Sequence, residues 1–270
     1  MPGRVVELFQ QPFGGAPSAR RVIPGVEAEA FNLLIDRIGV RISYAPKQRI
    51  FHETDPAESI YKVVSGLVCA NKFLSDGRRQ IGRFYLPGDY FGFECAEVHN
   101  LSAEAVTNAQ VRVIKKRVLA AEANPDAIER QLLSLTAREL ARLQERALFL
   151  IESAQERVGE FILEMEKRAK VGNSIQLLMK RQDIADYLGL KIETVSRILT
   201  SLESCAAIKM PTPHQIVLHS HSALRTAMED RSKAALSNPP SSKTAGRKRP
   251  DRRRHSVPTR VQQLISLEAV

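Results

Sequence analysis

The chain lacks any apolar run of 18 residues, and cysteine is scarce. Without such a run we expect no membrane-spanning helix. The N-terminus also lacks an apolar segment followed by a small-residue cleavage site, so we expect no signal peptide. The three cysteines, Cys69, Cys95 and Cys205, are odd in number and far apart, which favours a reducing compartment over a disulfide framework. These absences predict a cytoplasmic protein.

The composition is that of a folded protein with excess positive charge. The 270 residues suffice for two domains of ordinary size, and 43% of them are hydrophobic. A net charge of +10 suits a polyanionic partner. The charge is uneven, because residues 229–270 hold ten Lys/Arg and four Asp/Glu, a net +6. Basicity is therefore mostly a property of this tail, which either contacts phosphates without reading sequence or is simply solvated.

Changes in hydrophobic period divide the chain into segments of an α+β protein. A helix is expected over 26–38, and seven or eight short strands follow, as in a small barrel or jelly roll. Asp76-Gly77 predicts a hairpin turn, because this pair tolerates positive φ, and 87–92 is expected to be a compact loop. The expected segments are an irregular N-terminal arm (1–25), a β-roll (26–125), a long dimerisation helix (126–154), a winged helix-turn-helix domain (155–228) and a basic disordered tail (229–270).

Two short helices joined by a tight turn are predicted within 180–203. Ile184, Ala185 and Leu188 give the first helix an apolar face, and Gly189 is expected to end it, because a left-handed residue costs least without a Cβ. A second helix is expected from about residue 192, followed by a two-stranded wing around a turn at 211–214. The inward residues of the second helix are predicted to be Val195, Ile198, Leu199 and Leu202.

Glu193, Ser196 and Arg197 lie on the opposite face of the second helix. This is the layout of a helix-turn-helix whose second helix enters the DNA major groove N-terminus first. Arg197 can donate two hydrogen bonds to guanine O6 and N7, and Glu193 can accept one from cytosine N4. Ser196 can reach a neighbouring base edge or a thymine methyl group. The alternative is an ordinary amphipathic helix whose Glu193 and Arg197 are solvated and pair with each other.

Further side chains are assigned to DNA phosphates and to a dimer contact. Lys180, Arg181 and Lys191 are candidates for phosphate contacts that position the protein on DNA. Along the long helix, apolar residues alternate at spacings of three and four, with a polar interruption at Thr136. So narrow a seam predicts pairing with an identical helix, and the alternative is a helix packed on its own domain. The seam residues are Leu133, Leu140, Leu143, Ala147, Leu150 and Ala154.

In combination these motifs resemble the Crp/Fnr superfamily of bacterial transcription regulators, over roughly residues 30–225. The resemblance implies a cyclic-nucleotide-binding-like β-roll, a dimerisation helix and a Crp-type winged helix-turn-helix. It also implies a homodimer that binds double-stranded DNA and touches RNA polymerase. The motifs that carry it are 55–61 leading to 63–66, 87–92, Glu156-Arg157 and 181–197, and the last of these looks most like the FixK branch.

The same resemblance implies which DNA site is read. The cyclic-AMP receptor protein has Arg just before the Glu and Gly in place of the Ser, whereas here those positions are Ile192 and Ser196. The Glu-x-x-Ser-Arg pattern is that of Fnr-like proteins, which the resemblance implies read TTGAT-N4-ATCAA palindromes. For FixK-like proteins the implied targets are genes of low-oxygen respiration and nitrogen fixation, and we expect an activator.

Departures from the family pattern argue against a cofactor or metal. Fnr holds an iron–sulfur cluster through clustered N-terminal cysteines and one in the roll, but residues 1–40 here contain none, and three thiols cannot supply four ligands. Cyclic-nucleotide binders hold the phosphate with an Arg-Ser or Arg-Thr pair. The matching pair is Leu101-Ser102, and Leu101 cannot neutralise a phosphate.

Two other classes of function are alternatives to this interpretation. One is a sensor whose roll binds a nucleotide or haem before it licenses DNA binding. Glu94 matches the family's ribose-binding Glu, but His52 and His99 are scattered, and we expect them to be surface or core residues. The other is an enzyme, but we find no Ser/His/Asp arrangement, no metal-ligand spacing and no phosphate-cradling glycine loop. We therefore predict a regulator rather than an enzyme.

Overall fold

The computed structural model describes residues 24–228, apart from residues 95 and 150 and the side chains of 24–27 and 148. The predicted tail at 229–270 and residues 1–23 of the predicted arm lie outside the described residues. Helix α1 begins at Pro24, two residues before the predicted start. Proline suits the first turn of a helix, because the backbone N–H that it lacks has no partner within the helix there.

The described elements follow the predicted order of strand-rich roll, long helix and helix-turn-helix, which confirms the α+β fold class. The helices are α1 (Pro24–Ile38), α2 (Lys116–Ala120), α3 (Pro125–Phe149), α4 (Ala154–Ala169), α5 (Arg181–Leu188) and α6 (Ile192–Ser204). Residues 221–228 are also helical. The strands are β1 (Val40–Tyr44), β2 (Arg49–Phe51), β3 (Ser59–Ser65), β4 (Val68–Phe73), β5 (Arg79–Tyr85), β6 (Tyr90–Phe91), β7 (Ser102–Ala105), β8 (Ala109–Lys115), β9 (Lys170–Val171), β10 (Ser174–Gln176), β11 (Ile208–Thr212) and β12 (Gln215–Leu218).

The roll consists of two four-stranded antiparallel sheets, ordered β1-β8-β3-β6 and β2-β7-β4-β5. Their facing sides bury a shared apolar core. The predicted hairpin turn joins β4 to β5, and Gly77 adopts the expected positive φ of 81°. The compact loop predicted at 87–92 is wrong in part, because β6 lies inside it and pairs with β3. Pairing with β3 defines this short strand, and the local sequence gives no sign of that partner.

The long helix ends earlier than predicted. α3 ends at Phe149 and α4 starts at Ala154, so the single helix predicted over 126–154 is wrong at its C-terminal end. Ser153 caps α4, because its hydroxyl accepts from the N–H of Glu156 (3.2 Å) while the Glu156 carboxylate accepts from the N–H of Ser153 (2.7 Å). This capping box satisfies N–H groups that a new helix start exposes. Ala154 therefore belongs to α4 and not to the predicted seam.

The C-terminal domain contains more sheet than predicted. The predicted wing is β11 and β12, a short strand predicted at 175–178 is β10, and β9 adds a fourth strand that was not predicted, in the order β11-β12-β10-β9. β11 also continues through Pro211 and Thr212, where a turn was predicted. An apolar cluster continues from the roll into this domain and includes Ile81 and Phe84 of β5 together with Phe161 of α4. The helix-turn-helix is therefore packed against the roll of its own chain.

Candidate nucleic-acid interface

Helices α5 and α6 form the predicted helix-turn-helix. Gly189 ends α5 with φ of 66°, and the N–H of Leu190 donates to the carbonyl of Ala185 at 3.0 Å. The left-handed residue reverses the chain at little cost, so that α6 can start at Ile192 and pack on α5. All the residues predicted to face inward are buried, and they are Ile184, Ala185, Leu188, Val195, Ile198, Leu199 and Leu202.

The outward face of α6 presents the three predicted base-reading side chains. Glu193, Ser196 and Arg197 are all exposed. Within residues 24–228, no hydrogen bond or ion pair engages these side chains. The alternative in which Glu193 and Arg197 pair with each other is therefore not observed in this part of the chain. A carboxylate, a hydroxyl and a guanidinium group remain available to a partner on one helix face.

The predicted phosphate contacts divide into two kinds. Lys180 and Lys191 are exposed and immediately precede α5 and α6. Each lies beside a helix N-terminus, where backbone N–H groups and the helix dipole favour an anion. Arg181 is instead half-buried, with Nη2 donating to Met210 Sδ at 3.2 Å and Nη1 enclosed without a partner among the described residues. Burial lowers the pKa of Arg181.

The predicted dimer seam on α3 is open to solvent. Of the predicted seam residues, Ala147 is exposed and Leu150 lies outside the described residues. On its other face α3 is covered, because Ile128, Leu132 and Leu135 pack against α1. The helix therefore has one apolar face inside its own domain and a second, uncovered one. The uncovered leucines and their exposed fractions are Leu133 (68%), Leu140 (57%) and Leu143 (55%).

Aromatic rings fill the interior of the roll. Phe51 stacks on the imidazole of His99 with ring centroids 3.6 Å apart, and Phe91 stacks on Tyr61 at 5.0 Å. His99 is buried, and its Nδ1 lies 3.1 Å from the carboxylate of Glu94. The Glu94 carboxylate, at the position that matches the family's ribose-binding Glu, is thus within hydrogen-bonding distance of a neighbouring side chain.

Other residues considered for a ligand have structural contacts. The hydroxyl of Ser102 accepts from the backbone N–H of Glu53 at 2.9 Å. Leu101 packs over Gly82 of β5, where an added Cβ would lie 3.2 Å from the leucine side chain. His52 is exposed, as expected for a surface histidine. No bound molecule is needed to explain where these side chains lie.

The described cysteines are free thiols. Burial raises the pKa of Cys69 to about 12, which keeps this thiol protonated. Cys205 is exposed at the end of α6, and Cys95 lies outside the described residues. No group of three His, Cys, Asp or Glu side chains in this part of the chain is arranged to hold a metal ion. Among the described helices, none is both long and apolar enough to cross a membrane.

Polar contacts that hold the helix-turn-helix against the roll have no signature in the local sequence. Arg79 of β5 pairs with Asp183 and Asp186 of α5. These carboxylates are 104 and 107 positions away in the chain, so no local spacing indicates the contact. The start of α4 did have a local signal, because a Ser followed three residues later by a Glu is the sequence pattern of a capping box.

Comparison with known families matches both halves of the chain. Residues 41–124 match the cyclic nucleotide-binding domain family, and residues 156–227 match the Crp-like helix-turn-helix domain family. A roll of this kind, joined by a long helix to a helix-turn-helix, defines a DNA-binding transcription regulator.

The most informative similarities are to nitrogen fixation regulation proteins FixK. The chain is 43% identical over 199 residues to that of Azorhizobium caulinodans, which covers 71% of this chain and 80% of the relative. It is 37% identical to that of Rhizobium meliloti, over 68% of this chain and 85% of the relative. The structure of FixK2 from Bradyrhizobium japonicum matches 70% of this chain and 97% of that chain, with a TM-score of 0.68 and 42% identity. The chain belongs to the Crp/Fnr superfamily of transcription regulators, in its FixK-like branch, and these relatives are not enzymes.

Proposed function

We propose that this protein is a homodimeric transcription activator that reads a TTGAT-N4-ATCAA palindrome without bound cyclic nucleotide or iron–sulfur cluster. The observation that carries the proposal is the outward face of α6, where Glu193, Ser196 and Arg197 are exposed and without partners among the described residues. The guanidinium fork fits guanine O6 and N7, the carboxylate fits cytosine N4, and the hydroxyl fits a neighbouring base. Lys180 and Lys191 would hold the adjacent phosphates.

The open leucine seam on α3 supports the homodimer. Leu133, Leu140 and Leu143 are each more than half exposed in the single chain. Burying a leucine side chain stabilises by about 1.5–3 kcal/mol, so pairing along α3 would be favourable. Two-fold pairing would also relate the two reading helices by symmetry, as a palindrome requires, and they would enter major grooves about 34 Å apart.

The packed interior of the roll supports a regulator that needs no ligand. The rings of Phe51, Tyr61 and Phe91 pack against one another inside the roll, and Leu101 offers no charge to a phosphate. The roll would then stabilise the dimer and contact RNA polymerase.

One observation favours a ligand-gated regulator as the second candidate, since Nε2 of the buried His99 has no hydrogen-bond partner among the described residues. Haem binding there would require the stack of His99 on Phe51 to open.

The relatives suggest what is regulated. Two of them are nitrogen fixation regulation proteins. We propose that the targets here are genes of low-oxygen respiration and nitrogen fixation, read in the cytoplasm.

A gel-shift titration of purified, effector-free protein tests the proposal. A TTGAT-N4-ATCAA duplex is compared with a TGTGA-N6-TCACA duplex at about 150 mM salt, because salt sets the non-specific background. Selective binding to the first duplex without additives is the expected result. Binding that appears only with cyclic AMP, haem or a metal would support the ligand-gated candidate. Equal binding to both duplexes would contradict the assignment of the reading residues.

A further inference from the structure

An arginine of the roll is surrounded by three carboxylates, two of which belong to the helix-turn-helix. Arg79 on β5 donates to Glu104 of the roll at 2.8 Å, to Asp186 of α5 at 2.8 Å, and to Asp183 of α5. The Arg79 side chain is 23% exposed, and those of Glu104, Asp183 and Asp186 are 15%, 13% and 12% exposed. Water therefore screens these pairs much less than it screens ion pairs on an open surface.

Asp183 connects this contact to the start of α5. One of its carboxylate oxygens accepts from Arg79, and the other accepts from the backbone N–H of Lys180 at 3.0 Å. Burial lowers the pKa of Arg79, but hydrogen bonds to Asp186 and Asp183 outweigh burial and raise that pKa overall. The guanidinium therefore stays charged while it orients the carboxylate at the helix N-terminus.

The C-terminal end of α5 is held against the roll and α3. The side-chain amide of Gln80 on β5 donates to the carbonyl of Asp186 at 2.8 Å. The guanidinium of Arg146 on α3 donates to the carbonyl of Tyr187 and lies 4.0 Å from the centre of its ring. These carbonyls belong to the last turn of a helix, which has no partners for them within the helix. Side chains from outside the helix-turn-helix thus fix both ends of α5.

We propose that Arg79 is a positioning residue for DNA recognition, which acts through Asp183 and Asp186 to hold α5, and with it α6, in the orientation that reads DNA. α6 follows α5 after a short turn and shares its buried cluster, so the two helices move together. The reading face of α6 is exposed while the contact is closed, so the contact does not cover that face. The inference rests on the proposed reading of DNA by α6.

Removal of Arg79 would leave three carboxylates close together with no cation between them. Like charges in a partly buried site repel each other, and each carboxylate is also deprived of a hydrogen bond. Since Asp183 and Asp186 are on α5 and Glu104 is on the roll, the repulsion would push α5 away from β5. The reading helices of a dimer would then lose the fixed relation that two half-sites require.

The test measures full-length Arg79→Ala by fluorescence anisotropy, with the palindromic duplex and a random duplex at the same salt concentration. The Kd for the palindrome should rise roughly tenfold or more, while the Kd for random DNA stays near the wild-type value, because the Arg79 guanidinium is engaged by three carboxylates and not free to contact a phosphate. Arg78→Ala is the matched control, since it removes the same charge from an arginine that is 75% exposed and pairs with Asp76 in the hairpin turn. It should bind like the wild type.

A rescue variant separates positioning from simple destabilisation. Adding Asp186→Asn to Arg79→Ala removes one repelling charge and should recover part of the specific affinity, whereas Arg79→Lys should give an intermediate Kd. If Arg79→Ala does not fold, the single variants Arg79→Lys and Asp186→Asn test the inference instead. Each should raise the Kd for the palindrome several-fold.

If the wild type binds selectively but these single variants bind the palindrome with an unchanged or lower Kd, the inference about Arg79 is wrong and the proposed function is unaffected. A wild type that does not prefer the palindrome would overturn the proposed function and this inference with it.

Discussion

The interior side chains of the roll are packed within the chain, whereas side chains on the outer faces of α3 and α6 are open to solvent. In the roll, Phe91 is 2% exposed and stacks between Tyr61 and Tyr85. On α3, by contrast, Leu140 is 57% exposed, and on α6 Arg197 is exposed without a partner among the described residues. Buried apolar groups stabilise the chain itself, whereas exposed ones contribute when something covers them. The difference agrees with a roll interior that is packed within the chain and with helices that bind a second chain and DNA.

The largest expected effect comes from making the open seam polar. Leu140→Asp should remove about 1.5–3 kcal/mol of burial at each of two symmetric positions, and so weaken dimerisation by roughly 3–6 kcal/mol. Sedimentation equilibrium measures the dissociation constant. Leu33→Asp is the control, because Leu33 is 66% exposed but lies on α1. If both variants dimerise like the wild type, α3 is not the dimer contact.

A cavity in the roll should affect stability rather than recognition. Phe91→Ala is expected to lower the free energy of unfolding by about 3–5 kcal/mol, because the neighbouring rings cannot fill the space. Urea unfolding followed by circular dichroism measures the change. Phe73→Ala, at a ring that is 55% exposed on β4, should change stability by less than about 0.5 kcal/mol. Equal losses for the two variants would contradict a core role for Phe91.

A substitution on the reading face of α6 should instead affect DNA recognition and leave stability unchanged. Arg197→Ala should lose about 1–3 kcal/mol of specific binding and relax the preference at one base pair, with an unchanged unfolding temperature. Arg197→Lys keeps the charge but not the guanidinium fork, so it should recover general affinity without the base preference. Competition binding against single-base variants of the palindrome measures both. A loss of the same size on random DNA would show that Arg197 contacts phosphate instead.

How much of the fold the sequence predicts depends on how local the determinants are. The two faces of α6 follow from helical periodicity, so the buried and exposed residues were predicted one by one. The β4–β5 turn was predicted because Asp76-Gly77 carries its own conformational preference. β6 was missed, since two residues have no period and pair with a strand far away in the chain. The pairing of β10 with β12 was missed for the same reason, because the helix-turn-helix separates these two strands in the chain.

For the candidate site, exposure was predictable but tertiary contacts were not. Periodicity alone places Glu193, Ser196 and Arg197 outward, although their roles on DNA stay predictions. Arg181 was expected at a phosphate, yet its guanidinium turns toward Met210 of β11, a residue 29 positions later. Arg79 had no local signal at all. Its effect comes from carboxylates that approach it when the roll and α5 pack together.

The smallest expected effect concerns a charge that positions the protein without reading sequence. Lys191→Ala should weaken palindromic and random DNA binding alike, by less than Arg197→Ala weakens the palindrome. The slope of log K against log salt should fall by about 0.9 for each phosphate that the variant no longer neutralises. Lys167→Ala removes the same charge from the exposed surface of α4 and should leave the slope unchanged. A salt titration by anisotropy measures the slope, and a changed base preference in Lys191→Ala would instead mean that Lys191 reads a base.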